Sequence, residues 1–313
     1  MKKILLIATG GTIASVQTEH GMMPMLDGEG LVERVPELSS ICDISIMQLA
    51  QLDSTNIQPE NWIAMARAIA DCYKDYDGFV LTHGTDTMSY TAAAMHHMLV
   101  NLSKPIVITG SQLSLVEDDS DAPLNLITAF KAAANGTAGV YLAFNGRLMQ
   151  GNAAKKLYTE NFDGFDSINV PDVARMENGD LVWSCAPEAG GESGDLMLLD
   201  SLETRVVMIE ITPGLTEDIF RLLADGGYRG IIIKAYGAGG IPGNESLNNL
   251  LPGIDYAIEK GVKVVAATQC TYDGVHMDRY EVGMTALKHG VVSAGMATTE
   301  DALISLMLEL ANK

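Results

Sequence analysis

The sequence predicts an α/β fold of parallel sheets arranged in two domains. Three observations carry this. Strand-like hydrophobic runs alternate with helical stretches almost throughout, the pattern of βαβ units. Three of the early runs end in short Thr- and Gly-rich elbows, where ligands of parallel sheets bind. The chain has 313 residues, more than one hydrophobic core usually serves, and a Gly-, Pro- and acid-rich stretch at Ala186–Gly194 separates two sets of runs.

The first set opens with Ile4–Ala8, which runs into Thr9-Gly10-Gly11-Thr12. Phe79–Leu81 precedes Thr82-His83-Gly84-Thr85-Asp86-Thr87, and Ile106–Ile108 precedes Thr109-Gly110-Ser111-Gln112. Val140–Phe144 continues the set. Helices are expected over Asn61–Tyr73 and Tyr90–Leu102, the second stopped by Lys104-Pro105. Another starts at Asp121-Ala122-Pro123 and ends before Asn135-Gly136. In the second set, strands are expected at Arg205–Ile211, Gly230–Ala235 and Val262–Ala267. Helices are expected at Thr216–Ala224, Leu247–Glu259 and Thr298–Ala311, with Thr298 or Thr299 as N-cap. The domains are placed at 1–187 and 205–313, with a linker at 188–204.

Composition narrows the function. Hydrophobic residues make up 47% and charged residues 19%, which is globular. Twenty basic against 40 acidic residues leave a formal charge of −20. That speaks against nucleic acid and anionic membranes as partners, since both need basic surface. Lys2-Lys3 followed by Ile4–Ala8 resembles a secretory signal, but the apolar run is too short and stops at Gly10-Gly11, so a buried first strand is expected. Cys42, Cys72, Cys185 and Cys270 are scattered without CxxC spacing and read as reduced thiols of a cytoplasmic protein.

Several familiar signatures are missing: the phosphate-binding G-x-x-x-x-G-K-[ST], H-E-x-x-H and G-x-S-x-G. Gly237-Ala238-Gly239-Gly240-Ile241-Pro242-Gly243 departs from dinucleotide-binding spacing because Pro242 stands where the third glycine belongs. The six histidines form no metal pattern, and neither metal nor cofactor is expected. His96 and His97 read as ordinary helix positions, and His83 as a packed or hydrogen-bonding loop histidine.

The elbows carry the positive signal. A threonine hydroxyl is a weak nucleophile and needs a base and an oxyanion hole. Thr12 follows two glycines whose backbones can approach a ligand closely. Thr85-Asp86 sets a hydroxyl beside a carboxylate. Lys155-Lys156, after Gly151-Asn152, offers an amine that can serve as a base when burial lowers its pKa.

Taken together, Ile7–Ser15 and Leu81–Met88 resemble the two signature motifs of the bacterial-type L-asparaginase family. Asp53–Pro59, Thr109–Gln112 and Thr268-Gln269-Cys270 are similar to that family as well, the last pointing to its cytoplasmic, type I branch. The resemblance implies a larger N-terminal domain, a doubly wound and mostly parallel sheet, with a smaller C-terminal α/β domain. It implies hydrolysis of L-asparagine to L-aspartate and ammonia, with minor glutaminase activity, in a homodimer or homotetramer. Thr12 is then the nucleophile, and Thr85, Lys156 and Asp86 a proton relay. Lys156 rather than Lys155 matches the family's lysine. Ser54 matches the substrate carboxylate contact, Asp86 the ammonium contact, and Thr55 a neighbouring substrate position. The Gly11 and Thr85 amides are candidates for the oxyanion.

The chain departs from the family pattern at three places. Met22 stands where a lid-loop tyrosine is common, and Tyr280 is the candidate substitute. Gly240 stands where an asparagine is common, so that residue's substrate contact is either lost or supplied by Asn244. Lys155 replaces a threonine. Two other readings stand beside hydrolysis: the ammonia-releasing subunit of a tRNA-dependent amidotransferase, which needs an extra N-terminal domain, and an amino-acid sensor without turnover.

Overall fold

A computed structural model of the protein describes residues 1–19, 21–184 and 195–312. The chain divides into two compact units, Met1–Asp200 and Ser201–Lys313. Cys185 and the first part of the expected linker, 188–194, lie outside the described residues. Of the rest of that stretch, Met197–Leu198 pairs antiparallel with Leu99–Val100 inside the first unit.

The first unit is organised by an eight-stranded sheet. In spatial order its strands are Asp180–Trp183, Ala174–Glu177, Arg147–Gln150, Gly139–Phe144, Pro105–Thr109, Gly78–Thr82, Lys3–Gly10 and Asp43–Leu52. The last five are mutually parallel and the first three extend one edge antiparallel. Four of these parallel strands are near-continuous apolar runs, as expected of strands covered on both faces, and the edge strand Asp43–Leu52 is mixed. On one face Ile4, Leu6, Val80, Val107 and Ala143 pack with the helix Ala122–Asn135. The period of two turns Leu5, Ile7, Phe79, Leu81, Ile106 and Ile108 to the opposite face, where all are buried.

Strand order places the site. From Lys3–Gly10 the chain crosses to Asp43–Leu52 on one side, then returns to Gly78–Thr82 on the other. The strand order therefore reverses beside Lys3–Gly10, and the crevice beyond the carboxyl ends of Lys3–Gly10 and Gly78–Thr82 is the topological switch point. The register Ala8↔Thr82 brings the first and second elbows level.

The second unit holds four parallel strands in sequential order, Val206–Glu210, Gly230–Ala235, Lys263–Thr268 and Val292–Ser293. Helices Asp218–Asp225 and Leu251–Glu259 pack one face, with Phe220 and Ile254 fully buried. Thr299–Ala311 packs the other, with Leu306 against Ile232. The Thr298 hydroxyl caps this last helix, accepting from Asp301 N at 3.1 Å. Among the described residues, no helix is long and apolar enough to cross a membrane.

Helix limits shift where side chains compete with the backbone. The helix expected from Leu247 starts at Leu251, because Ser246 and Asn249 side chains accept from the amides of Asn248 and Leu251. The helix expected to reach Leu102 ends at Met98, followed by the short strand at Leu99–Val100 and Asn101 in the left-handed region. The sequence pattern does not foresee the hairpins Ser15–Thr18 with Gly21–Pro24 and Ala154–Lys156 with Phe165–Ser167, nor the antiparallel strands Arg147–Gln150, Ala174–Glu177 and Asp180–Trp183.

The second hairpin is clamped from below. Arg147 Nε and Nη2 donate to Asp172 at 2.7 and 2.9 Å, and Nη1 donates to the Phe165 carbonyl at 3.0 Å. Asp166 also pairs with Arg147, and Ser167 Oγ donates to Asp172 at 2.7 Å. The Asp172 side chain is 3% exposed. Burial opposes its ionisation, but the Arg147 and Ser167 hydrogen bonds outweigh that and hold its pKa below the usual carboxylate range. Removing the guanidinium strands a buried carboxylate. Arg147→Met is expected to cost about 3 kcal/mol, with the exposed Arg175 limiting the loss. Urea unfolding of the variant and the parent measures it.

Candidate active site

Two glycines let the first and second elbows touch. Gly11 has φ +83°, and a Cβ there would lie 2.3 Å from the Gly84 nitrogen. A Cβ on Gly84 would lie 2.6 Å from Ser54 Oγ. Any side chain at either position separates the loops. Further bonds lock the contact: Gly11 N–H donates to the Leu52 carbonyl at 2.9 Å, and Thr9 Oγ1 to the Thr82 carbonyl at 2.7 Å. The Gly11 amide is therefore already engaged, and its contribution is close approach. Thr12 opens a one-turn 3-10 helix, Thr12–Ala14, anchored by buried Ile13 and Ala14. Its side chain is half-buried.

The second elbow is more enclosed. Thr85 is 6% exposed. Lys156, at the end of the clamped hairpin, donates from Nζ to Thr85 Oγ1 at 2.8 Å and to Asp86 Oδ1 at 2.7 Å. The Lys156 side chain is 18% exposed and that of Asp86 56%, so an amine shielded by protein meets a carboxylate facing water. Lys155 sits opposite Asp166 in the hairpin register, and Lys156 opposite Phe165. The strand period of two puts the two lysines on opposite faces, and Lys156 is on the face that meets the elbow.

Ser54 lies in the loop after Asp43–Leu52, the parallel strand at the sheet edge. It is buried, and its Oγ accepts from Asp86 N at 3.2 Å while Thr87 Oγ1 donates to its carbonyl at 2.7 Å. Thr55 is exposed and its hydroxyl donates to Asp53 Oδ1 at 2.7 Å, closing the turn. Thr12, Thr85, Asp86, Lys156, Ser54 and Gly11 thus belong to one cluster at the switch point, with Thr55 beside it. Met22 lies on the first hairpin opposite Gln17, 43% exposed.

Tyr280 belongs to the second unit, where it precedes the helix Glu281–Lys288 and is 55% exposed. In that unit Tyr236 and Gly240 form an isolated bridge, and Asn249 donates to Asn244 Oδ1 at 2.9 Å.

The third elbow buttresses the second. Its Ser111 is fully buried and donates to the Leu113 carbonyl. The Thr109 carbonyl accepts from His83 N–H at 2.8 Å. Asp121 accepts from the Gln112 and Leu113 amides at 3.0–3.1 Å, and Asn125 donates to the Gly110 carbonyl at 2.9 Å. Gln112 Nε2 reaches the Asn161 carbonyl at 2.9 Å, beyond Lys156. From sequence Asp121 is only a helix start and Asn125 an ordinary helix position, although an Asp and an Asn four residues apart at a helix start are a usable signal. Among the described residues, no group of His, Cys, Asp and Glu is placed to hold a metal ion.

A buried pair of hydroxyl and amine at a sheet's switch point, flanked by a second hydroxyl on a glycine turn, defines a class of acyl-transfer enzyme sites. Sequence comparison agrees. The family models described as "Asparaginase, N-terminal" and "Glutaminase/Asparaginase C-terminal domain" match residues 3–188 and 205–313. The chain belongs to the asparaginase family, whose members are amidohydrolases. It is 40% identical to the L-asparaginase of Thermococcus kodakarensis, covering 98% of this chain and 92% of that one. It is 33% identical to a subunit of the glutamyl-tRNA(Gln) amidotransferase of Pyrococcus abyssi, covering 98% of this chain and 72% of the relative. The crystal structure of L-asparaginase I from Vibrio cholerae superposes with a TM-score of 0.88 at 32% identity, covering 100% of this chain and 93% of that one.

His83 gives the site a pH signature. It is fully buried, and desolvation pushes its pKa from 6.5 down to about 4, against the opposing bond to the Gly84 carbonyl. The folded protein then excludes a proton that the unfolded chain accepts. Stability from this source is complete above about pH 6.5 and is lost as pH falls toward 4. Between pH 7 and 4.5 the loss is expected to be roughly 2 kcal/mol. Urea unfolding of wild type and His83→Asn at both pH values isolates it, because the carboxylates titrate in both proteins.

Proposed function

We propose that the protein is an L-asparaginase that hydrolyses the side-chain amide of L-asparagine through a threonine nucleophile. The observation that carries the reading is the placement of Lys156 Nζ, 2.8 Å from Thr85 Oγ1 and 2.7 Å from Asp86 Oδ1. In this mechanism Thr12 Oγ1 attacks the carboxamide carbon. The carbonyl oxygen becomes an oxyanion held by backbone amides, and the Thr85 N–H, which has no acceptor among the described residues, is one of them. Collapse expels ammonia with the proton released by Thr12 and leaves an ester. Water, activated through Thr85 and Lys156, attacks the ester and releases aspartate, restoring the Thr12 hydroxyl. Asp86 keeps Lys156 in place and, with Ser54, faces the substrate's α-ammonium and α-carboxylate.

Tyr280 is proposed as the phenol that helps move the Thr12 proton, the part a lid tyrosine would play at Met22. Minor glutaminase activity, a cytoplasmic setting and a homodimer or homotetramer complete the proposal. The amidotransferase reading rests on the likeness to the Pyrococcus abyssi protein. The higher identity to the Thermococcus kodakarensis enzyme, over more of its length, favours hydrolysis of the free amino acid.

Ammonia release from free asparagine by the purified protein tests the reading. Thr12→Ala and Lys156→Met are each expected to lower kcat by about 10³-fold or more, with unchanged melting temperatures. Near-parental turnover in either variant removes that residue from the mechanism. Tyr280→Phe is expected to cost about 10²-fold in kcat. A parental rate would assign the proton to another group.

A further inference from the structure

One buried chain of side chains has no part in the proposed chemistry yet ends on the reacting loop. Trp62 Nε1 lies 3.0 Å from Thr91 Oγ1, Thr91 Oγ1 lies 2.8 Å from His83 Nε2, and His83 Nδ1 lies 2.7 Å from the Gly84 carbonyl oxygen. Trp62 is 6% exposed, Thr91 and His83 not at all. The direction of every bond follows from the chemistry of the two ends. An indole N–H only donates and a carbonyl only accepts. The Gly84 oxygen therefore requires a proton on Nδ1. A neutral imidazole then has Nε2 as acceptor, which fits the Thr91 hydroxyl hydrogen, while the Thr91 oxygen accepts from Trp62. Burial holds the ring neutral above its depressed pKa of about 4.

The carbonyl at the end of this chain shares a peptide plane with the Thr85 N–H. In a trans peptide the two groups point in opposite directions. Fixing the Gly84 oxygen on the buried side therefore fixes the Thr85 N–H on the other side. That N–H has no acceptor among the described residues, whereas the neighbouring Asp86 N–H is taken by Ser54 Oγ. A hydrogen bond to a carbonyl also polarises its amide, so that the N–H becomes a better donor.

We propose that His83, held by Thr91 and Trp62, is a positioning residue that aims the Thr85 amide at the oxyanion formed during amide hydrolysis. The assignment rests on the proposed reaction and adds a residue that does not touch substrate. Losing the aim is milder than losing the donor, which costs about 10²–10³ in kcat.

The test is asparagine turnover by the full chain carrying His83→Ala, His83→Gln, His83→Asn or Thr91→Val. An asparagine amide can occupy the place of the Nδ1 proton, and a glutamine amide that of Nε2. His83→Ala and His83→Gln are expected to lose about tenfold in kcat with KM within about twofold. His83→Asn is expected to stay within about threefold of wild type in kcat while melting as early as His83→Ala. Thr91→Val is expected to fall between them. Equal kcat losses in the Asn and Ala variants, or a loss carried by KM, overturn the assignment and leave His83 as packing. Nitrogen-15 spectra of wild type at pH 7 test it without turnover or variants. A neutral ring protonated on Nδ1 supports the assignment, and one protonated on Nε2 overturns it. A wild-type protein that releases no ammonia from asparagine defeats the proposed function, while the tautomer still reports on His83 separately.

Discussion

The site depends on one steric constraint, the contact between two loops at Gly11 and Gly84. A parallel sheet spaces its strands by about 4.8 Å, and the loops that follow ordinarily diverge with their connections. Here two neighbouring strands send their chains to opposite sides, and the resulting crevice is narrowed until backbone meets backbone. Only residues without Cβ permit that approach. The consequence is chemical. Two threonines that are 73 positions apart in sequence are delivered to one crevice, the first through a register shift between Ala8 and Gly10 at the end of its strand. Ser54 completes the wedge, since its hydroxyl occupies the space a Gly84 side chain would need and accepts the Asp86 amide.

The amine arrives from a different kind of structure. Lys156 is not on a parallel strand but on a short two-stranded hairpin separate from the main sheet. A three-residue strand has little intrinsic stability, so its geometry is set by what lies beneath it. Arg147 supplies this, reaching Asp172, Asp166 and the Phe165 carbonyl from the adjoining strand. Phe165 in turn packs on Phe144 with ring centroids 4.8 Å apart. On the far side Gln112 of the third elbow holds the Asn161 carbonyl. The distances at Lys156 are therefore the outcome of three supports, each on a separate element of the sheet.

How much of this was legible follows from the range of the forces involved. The inner parallel strands of the first unit were readable because each is an apolar run buried on both faces, and the elbows because glycine and threonine mark turns wherever they occur. Lys156 was singled out over Lys155 through resemblance alone. The physical reason, alternate faces of a hairpin paired to Phe165–Ser167, needs a partner strand that begins nine residues away, past a loop without apolar pattern. The strand Asp43–Leu52 escaped notice because its composition is mixed and it lies at a sheet edge. The third elbow looked like a further source of reacting hydroxyls. Its Ser111 and Thr109 hydroxyls instead satisfy backbone carbonyls, since a fully buried hydroxyl takes the nearest acceptor. His83 read as a packed, hydrogen-bonding loop residue, and that is its place. Its ring partners are the Gly84 carbonyl next to it and Thr91, itself held by Trp62 twenty-one positions before His83, and no local pattern conveys the distant part of that chain.

Charge also shapes the proposed reaction. The protein carries a formal −20, yet the cluster at the elbows sets one basic side chain, Lys156, against one acidic one, Asp86. Asparagine enters as a zwitterion of zero net charge, so the overall field neither draws nor repels it to first order. The products differ. Aspartate leaves with one net negative charge, and the ammonia released becomes ammonium in neutral water. A negative surface potential opposes return of the first. The second is drawn to the acidic surface. Recognition of the substrate carboxylate must then come from short-range donors, because no arginine among the described ion pairs lies in this cluster. In the proposed site that role falls to backbone amides and the buried Ser54, which carry no net charge. Their orientation, rather than any attraction at long range, has to supply the selectivity, which is why the peptide planes of the two elbows are held from behind.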